Sequence, residues 1–390
     1  MENINVLSLF DGMSCGQQAL DRVGISVNKY YASEVDKHAI IVTQANYPNT
    51  MQLGDVRNIH YTNAGIEVDL GPSHVRFIET DIQLLIGGSP CQSFSFSGKR
   101  KGMTTKCSVE IISLEQYLEL KAAGFEFEGQ SYLFWEYVRI LKEIRTVNPN
   151  VKFLLENVEM AKKWRAIISN TLGVEHIEIN SALVSAQNRQ RLYWTNIGHY
   201  FDGGLFGDYP KCIISQPKDK MIYLKDILQK QVEQKYYLKD KTIKWLIRHS
   251  KKRGTYINIL NDKPKSNCIK AVDVKCNLET GFIINRNPNK VIQLNNSTES
   301  GCTQPYQQNR IYHVHGKSPV LLAGMSCGSH AIEHYNGIRR LTPIECERLQ
   351  TVKEGYTAHV SDTQRYRMLG NGWTVDVIVH IFKHLKNQCQ

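Results

Sequence analysis

Ile4-Asn5-Val6-Leu7-Ser8-Leu9-Phe10-Asp11-Gly12-Met13-Ser14-Cys15-Gly16 lies at the head of the chain, and its reading sets the fold. Ile4 to Phe10 is an apolar run of strand length. Asp11 to Gly16 supplies a turn. Gln17 to Val23 has helical character, and Gly24 ends it. Strand, glycine turn and helix form the first unit of a doubly wound α/β fold, whose ligands bind outside the carboxyl ends of the strands. The glycines let the backbone approach a ligand closely, and the helix N-terminus favours an anionic group.

The alternation continues outward. Tyr30 to Ser33 reads as a second strand closed by Glu34, an acid placed to accept from both hydroxyls of a ribose. Asp36 reads as a helix cap. Gly54-Asp55-Val56 ends a third short element, where Asp55 serves either as an acceptor for an adenine amino group or as a turn cap. Phe10, Glu34 and Asp55 thus end successive strands and line one crevice suited to an adenosine-containing cofactor. No Gly-x-x-x-x-Gly-Lys loop occurs, which argues against a nucleoside triphosphate.

Leu84 to Ile86 reads as a further strand, broken at Gly87-Gly88. Pro90 fixes φ just ahead of Cys91. A thiol on a rigid turn at a strand tip is how a nucleophile is presented. A lone cysteine is otherwise commonly a small core hydrophobe. Residues 103–131 interrupt the alternation as an insert, with a helix expected over Val109 to Ala123. Leu133 to Val147 reads as an amphipathic helix. Val151 to Leu155 reads as a strand leading into Glu156-Asn157-Val158, which brings a carboxyl to the sheet edge that carries Cys91. Ile177 to Ala182 and Leu192 to Trp194 are strands flanking Gln187-Asn188-Arg189-Gln190-Arg191. Arginines one residue apart on an extended segment point the same way, toward a carbonyl oxygen, a phosphate or a surface acid.

Beyond residue 200 the alternation fades. Short β-like runs (Thr255 to Leu260, Gly281 to Ile284, Arg310 to Val314) suggest a second, β-rich domain over 201–338. The chain's charge of +11 is concentrated there: residues 211–320 hold 21 Lys and Arg against 8 Asp and Glu, or about +13, leaving the remainder near −2. A near-neutral body with one basic segment suggests a polyanionic partner. Trp245, Tyr256 and Tyr306 lie among these cations, as base-stacking groups or as the domain's own core. Thr342-Pro343-Ile344-Glu345 then opens a capped helix. Met368 to Trp373 reads as a turn, and Val375 to Leu385 as an apolar helix packing back on the first domain.

Hydrophobic content of 42% and charged content of 22% are ordinary for a globular protein. No apolar run approaches the roughly 18 residues of a membrane span, and the N-terminus lacks the pattern of a signal peptide. A cytoplasmic protein with no membrane partner is the expectation. The 10 cysteines are scattered, without Cys-x-x-Cys pairs or zinc-finger spacing, so no metal is expected.

With these residues placed, the sequence resembles the DNA (cytosine-5)-methyltransferase family over nearly its whole length. Pro90-Cys91-Gln92, Glu156-Asn157-Val158, Gln187-x-Arg189-x-Arg191 and Gly370-Asn371 match four of its motifs in order, with a basic insert between the third and fourth. Leu9-Phe10-Asp11-Gly12 with Gly16 is closer to the animal de novo enzymes. The loop Ser93 to Gly102 is closer to bacterial and phage ones. The resemblance implies a doubly wound Rossmann-like methyltransferase sheet that uses S-adenosylmethionine, formed by residues 1–200 plus 339–390. It makes 201–338 a smaller target-recognition domain, and the partner double-stranded DNA bound by a monomer. It makes Cys91 the nucleophile toward C6 of a cytosine turned out of the duplex, Glu156 the proton or hydrogen-bond donor at N3, and Arg191 the ligand of O2, with Arg189 and Asn157 in support. It places Phe10, Gly12, Glu34, Asp55, Pro90, Leu133, Asn371 and Trp373 around the cofactor, and Gln92 and Ser97 on DNA. The same chemistry on a tRNA cytosine is the alternative, and a catalytically inactive DNA-binding relative a further one. The sequence departs from the family at Ser14 and Cys15, where glycines are usual, at Gly372-Trp373, where bacterial enzymes have Ser-Val, and in the length of the 103–131 insert.

Overall fold

The computed structural model describes residues 3–71, 74–90, 102–204, 207–238, 311–312, 317, 331–334 and 337–388. The expected strands over 255–260 and 281–284, together with Trp245, Tyr256 and Tyr306, lie outside these residues, as do Cys91, Gln92 and Ser97.

The described residues alternate strand and helix as the opening stretch predicts: β1 Ile4–Leu9, α1 Cys15–Val23, β2 Val27–Ser33, α2 Lys37–Asn46 and β3 Met51–Gln52. There follow β4 Ile59–Thr62, β5 Gly65–Asp69, β6 Val75–Ile78, β7 Leu84–Gly88, α3 Leu114–Ala122, α4 Phe134–Val147, β8 Lys152–Val158, α5 Lys162–Leu172, β9 Ile177–Asn180 and β10 Gln190–Thr195. A seven-stranded sheet runs in the order β3-β2-β1-β7-β8-β10-β9. β3, β2, β1, β7 and β8 pair in parallel with one another, while β10 runs antiparallel to both β8 and β9. Val6, Leu7, Leu9, Leu85 and Ile86 of the two central strands are fully buried. Helices cover both faces of such a sheet, so its strands read as continuous apolar runs rather than alternating ones.

Local chemistry sets the helix ends. Gly24, at φ +72° in the left-handed region, stops α1 and returns its N–H to Asp21 and Leu20 carbonyls. Asp36 caps α2 by accepting from the His38 N–H at 2.9 Å, as the sequence indicates. Tyr30, Tyr31 and Ala32 of β2 are buried, and Glu34 follows directly at the carboxyl edge.

The described chain forms two compact units. One comprises 1–180, 190–217 and 373–390, and the other 181–189 and 218–372. The first holds the seven-stranded sheet and the C-terminal helix α9 Val375–Gln388, which packs on α1. Arg22 pairs there with Asp376 at 2.8 Å, and Lys386 donates to the Val23 carbonyl at 3.1 Å. The second unit holds α6 Leu224–Ile227, α7 Pro343–Leu349 and α8 Asp362–Asn371. α7 begins with the capping box read from sequence: Thr342 Oγ1 accepts from Glu345 N–H at 3.2 Å and Glu345 Oε2 accepts from Thr342 N–H at 2.8 Å. No helix among the described residues is long and apolar enough to cross a membrane.

Three local expectations differ from the structure. The helix expected from Val109 begins at Leu114, because Ser113 caps it and residues 103–111 pair instead as an irregular hairpin, Ile111 N–H to Met103 O at 2.9 Å. The turn expected over Met368 to Trp373 is helical through Asn371, and the chain becomes extended only at Gly372. β4, β5 and β6 form an antiparallel meander that the polar sequence of this region did not announce. Its first hairpin depends on Gly65 at φ +125°, where a Cβ would lie 2.2 Å from the Ile78 carbonyl.

Candidate active site

Glu156 and Arg191 meet at the carboxyl edge of the sheet. Gly88 at the end of β7 pairs with Glu156 of β8, and Tyr193 of β10 pairs with Glu156 from the other side. Arg191, two residues before Tyr193, therefore stands on the same face as Glu156 and diagonal to it. Arg191 Nε lies 3.0 Å from Glu156 Oε1, and the two side chains are 13% and 11% exposed. The Nε–H is not aimed at that oxygen as a hydrogen bond. The contact is one of charge, and it leaves the carboxyl's hydrogen-bonding directions for a ligand.

Asn157 is buried beside it. Its amide donates to both the carbonyl (3.2 Å) and the hydroxyl (3.0 Å) of Ser89, and its Oδ1 accepts from the Val158 N–H at 2.8 Å. The amide nitrogen therefore fixes Ser89, which with Pro90 leads directly into Cys91. Ser89 was not among the residues singled out from sequence. Its position between a strand-ending glycine and a proline is the signal that marks it.

A second group surrounds the β1–α1 turn. Glu34 Oε2 accepts from the Gly12 N–H at 2.7 Å, and Oε1 accepts from the Val35 and Asp36 N–H groups, each at 2.8 Å. Phe10 and Ser14 take left-handed φ values of 58° and 61°, so the turn is held in a conformation that side chains seldom adopt. A Cβ added to Gly12 would meet nothing within 4 Å, which marks open space over the turn. Asp11, also not singled out from sequence, accepts from the Tyr30 hydroxyl at 2.9 Å, while its Oδ2 is buried without a hydrogen-bond partner. Burial pushes its carboxyl up to about 6, against the Ser8, Ser14 and Tyr30 hydroxyls and with the help of Glu34.

Trp373 joins the two groups. A Cβ on Gly88 would lie 2.9 Å from Trp373 Nε1 and 3.2 Å from Glu156 Oε2, and one on Gly16 would lie 3.6 Å from Trp373 Cζ3. The indole thus lies over glycines of both β7 and α1, filling the departure noted at Gly372-Trp373. Leu133 ends a short 3-10 turn ahead of α4 and packs on the core.

Asp55 caps the 3-10 turn Val56–Asn58, accepting from the Arg57 N–H at 2.9 Å. Arg57 Nε reaches both of its oxygens at 3.0 Å and Nη2 reaches Oδ2 at 2.5 Å. This hydrogen bonding holds the Asp55 carboxyl below its usual range. Both readings made from sequence remain compatible, since a capped carboxylate has further lone pairs to offer.

Arg189 and Asn371 belong to the second unit. Arg189 is buried and donates to the Gly370 carbonyl at 3.1 Å and the Gly372 carbonyl at 3.0 Å, which fixes the turn containing Asn371. Among the described residues no three His, Cys, Asp or Glu could hold a metal ion.

A glycine turn after β1, an acid after β2 and a carboxylate–guanidinium pair at the reversed strand β10 lie on a doubly wound α/β sheet. The solved structure of the Entamoeba histolytica methyltransferase EhMeth shares this fold, with a TM-score of 0.58 at 12% identity over 100% of both chains. The chain belongs to the C-5 cytosine-specific DNA methylase family, whose profile matches residues 4–387, and it is an enzyme of the DNA (cytosine-5)-methyltransferase class. It is 25% identical to the orphan methyltransferase M.SPRI of Bacillus phage SPR, over 99% of this chain and 98% of that protein. It is 26% identical to the type II methyltransferase M.Bsp6I of Bacillus sp. strain RFL6, over 98% of each.

Proposed function

We propose that the protein transfers a methyl group from S-adenosylmethionine to C5 of a cytosine turned out of double-stranded DNA, through a transient bond between Cys91 and C6. The observation that carries this reading is the convergence of Glu156, Asn157 and Arg191 on the strand end that Ser89-Pro90 continues into Cys91.

Each residue has a task set by its surroundings. The Cys91 thiolate adds to C6. Glu156, with its carboxyl half-enclosed between Gly88 and Arg191, donates a proton or hydrogen bond at N3 and so draws charge from the ring. Arg191 stabilises the charge that develops on O2. C5 would then take the methyl group as the methyl–sulfur bond of the donor breaks to a thioether, the C5 proton would be lost to a base, and the thiolate would leave as the ring regains aromaticity. Asn157 holds Ser89, and hence the root of the Cys91 turn, in place. Gln92 and Ser97 contact the DNA.

The residues of the β1–α1 turn fit the cofactor: Gly12 faces open space and Glu34 stands where ribose hydroxyls need an acceptor. When bound, S-adenosylmethionine supplies an electrophilic methyl group on a sulfonium. Phe10, Gly12, Glu34, Asp55, Pro90, Leu133, Asn371 and Trp373 would hold it. Residues 201–338, with their excess of cations, form the target-recognition domain, their lysines and arginines on phosphates. The enzyme acts in the cytoplasm.

Labelled methyl transfer from S-adenosylmethionine to duplex DNA tests this reading. We expect incorporation by the parent chain and none by Cys91→Ser. Duplex containing 5-fluorocytosine, which has no C5 proton to lose, should trap a complex stable to denaturation. Transfer that survives Cys91→Ser, or that goes to tRNA and not to DNA, would overturn the reading.

A further inference from the structure

Residues 103–131 contain 2 lysines and 5 glutamates, a composition that repels phosphate. Both lysines are already paired: Lys106 with Glu126 and Lys121 with Glu136, each at 2.5 Å. The segment is therefore poorly suited to hold DNA, and its contacts lead elsewhere.

Glu136 is a fully buried carboxylate on the first turn of α4, three residues after Leu133. Its Oε1 accepts from the Tyr117 hydroxyl and the Lys121 ammonium of α3, each at 2.5 Å, and its Oε2 accepts from Arg139 Nε at 2.7 Å. Arg139 is buried in turn. Its Nη2 donates to the Ile59 carbonyl at 2.7 Å, and its Nη1 donates to Glu143 Oε1 at 2.7 Å. Glu143 Oε2 accepts from the Tyr61 N–H at 2.9 Å. Ile59 is the residue that closes the turn Val56–Asn58, and Asp55 is the residue that opens it.

Charge-assisted hydrogen bonds thus run without a break from α3 to the far side of the Asp55 turn. Burial pushes the Glu136 carboxyl up, and Arg139, Lys121 and Tyr117 outweigh it, leaving the group below its usual range. Hydrogen bonds from Arg57, opposed by burial and helped weakly by the Lys121 charge, keep Asp55 ionised. The aromatic stack Tyr117–Phe127–Tyr132, with centroids 5.2 Å and 4.5 Å apart, seats α3 against the residue before Leu133.

We infer that Tyr117 and Lys121 are positioning residues, through which the 103–131 segment sets the adenine end of the cofactor site. The inference rests on the proposed roles of Asp55 and Leu133. Removing the Lys121 charge leaves Glu136 under-compensated, and Arg139 then turns toward Glu136 at the expense of the Ile59 carbonyl. The turn that presents Asp55 loosens.

The test is calorimetric binding of S-adenosylhomocysteine to the full chain, with steady-state kinetics alongside. Lys121→Met should weaken binding about tenfold and raise KM for S-adenosylmethionine by the same factor. KM for DNA and kcat should stay within about twofold. Lys121→Arg should restore parental binding, and Tyr117→Phe should weaken it in the same direction. A general loss of structure would lower kcat and active fraction instead of splitting the two KM values. Asp55→Ala provides the control on the underlying reading. If it binds S-adenosylhomocysteine like the parent, the adenine placement fails and the inference with it. If Asp55→Ala is weakened and Lys121→Met is not, the inference alone is overturned.

Discussion

Arg191 and Glu156 meet at 3.0 Å across the junction where the sheet changes from parallel to antiparallel. The reversal of β10 is what permits it. A parallel β10 would present its carboxyl end, and not its start, beside Glu156. The contact keeps an anion and a cation together in a site that excludes most water, where each is worth more than on the surface. Glu156→Gln should lower kcat by about two orders of magnitude or more, in the range that general acid–base groups contribute. Arg191→Met should act in the same direction. In the proposed mechanism both residues serve one developing charge, so the double variant should lose less than the product of the two single losses. Single-turnover methyl transfer to duplex DNA measures this, and strictly multiplicative losses would separate the two roles.

Asp11 titrates in a range open to experiment. Burial pushes its carboxyl in the folded protein up from the ordinary aspartate range, near 3.8, to about 6. A carboxyl raised on folding binds its proton more tightly in the folded state. Its contribution to stability therefore falls as pH rises from about 4 to about 6 and stays low above that. Asp11→Asn keeps an acceptor for the Tyr30 hydroxyl and removes the charge. Its melting temperature should exceed the parent's at pH 8, with the difference shrinking as pH approaches 4. A difference independent of pH would show that Asp11 is solvated in the folded protein.

Gly102 carries another prediction. Its φ is +69°, and a Cβ there would lie 2.0 Å from Trp164 Cε2 and Cζ2. Trp164 is packed in the core beneath it, so the ring has little room to retreat. Gly102→Ala combines left-handed strain with overpacking and should cost about 2–4 kcal/mol. Adding Trp164→Leu should recover part of that loss, because the smaller side chain clears the space. Urea denaturation of the parent and the two variants checks it. An unchanged midpoint for Gly102→Ala would mean that the ring moves freely.

The sequence carried the parts of this site that depend on local order. An apolar strand followed by glycine gave β1 and α1, Glu34 announced itself by ending β2, and Thr342 with Glu345 marked a helix start that the structure shows. What escaped reading depends on pairs distant in the chain. Asn157 and Ser89 are 68 residues apart, and nothing local tells that the amide will hold that hydroxyl. Arg189 and Arg191 looked equivalent, one residue apart on an extended segment. The break falls between them: Arg191 joins Glu156 on the sheet, while Arg189 is spent on the Gly370 and Gly372 carbonyls. The β4–β6 meander was hidden because its strands are short, so the alternation of buried Ile59 with Tyr61 and Ile66 with Val68 spans too few residues to stand out.

Lys317 shows how a single residue of the basic segment serves the second unit. Its side chain is fully buried, and its ammonium donates to the Ala182 carbonyl at 2.9 Å, to the Ser185 carbonyl at 3.1 Å and to the Ile222 carbonyl. Tyr223 offers its ring face 4.9 Å away. An ammonium has three hydrogens, and three carbonyls take them, so the geometry is saturated. Lys317→Met has similar length and no donor, and leaves three buried acceptors without it. The cost should be about 2–4 kcal/mol, since each carbonyl loses a bond to a charged group and little water can replace it. The loss has a specific place to appear. Residues 181–189 are tied at one end by Lys317 and at the other by Arg189, so amide exchange there should quicken more than in α7. Equal quickening across the unit would assign Lys317 to general stability and not to this segment.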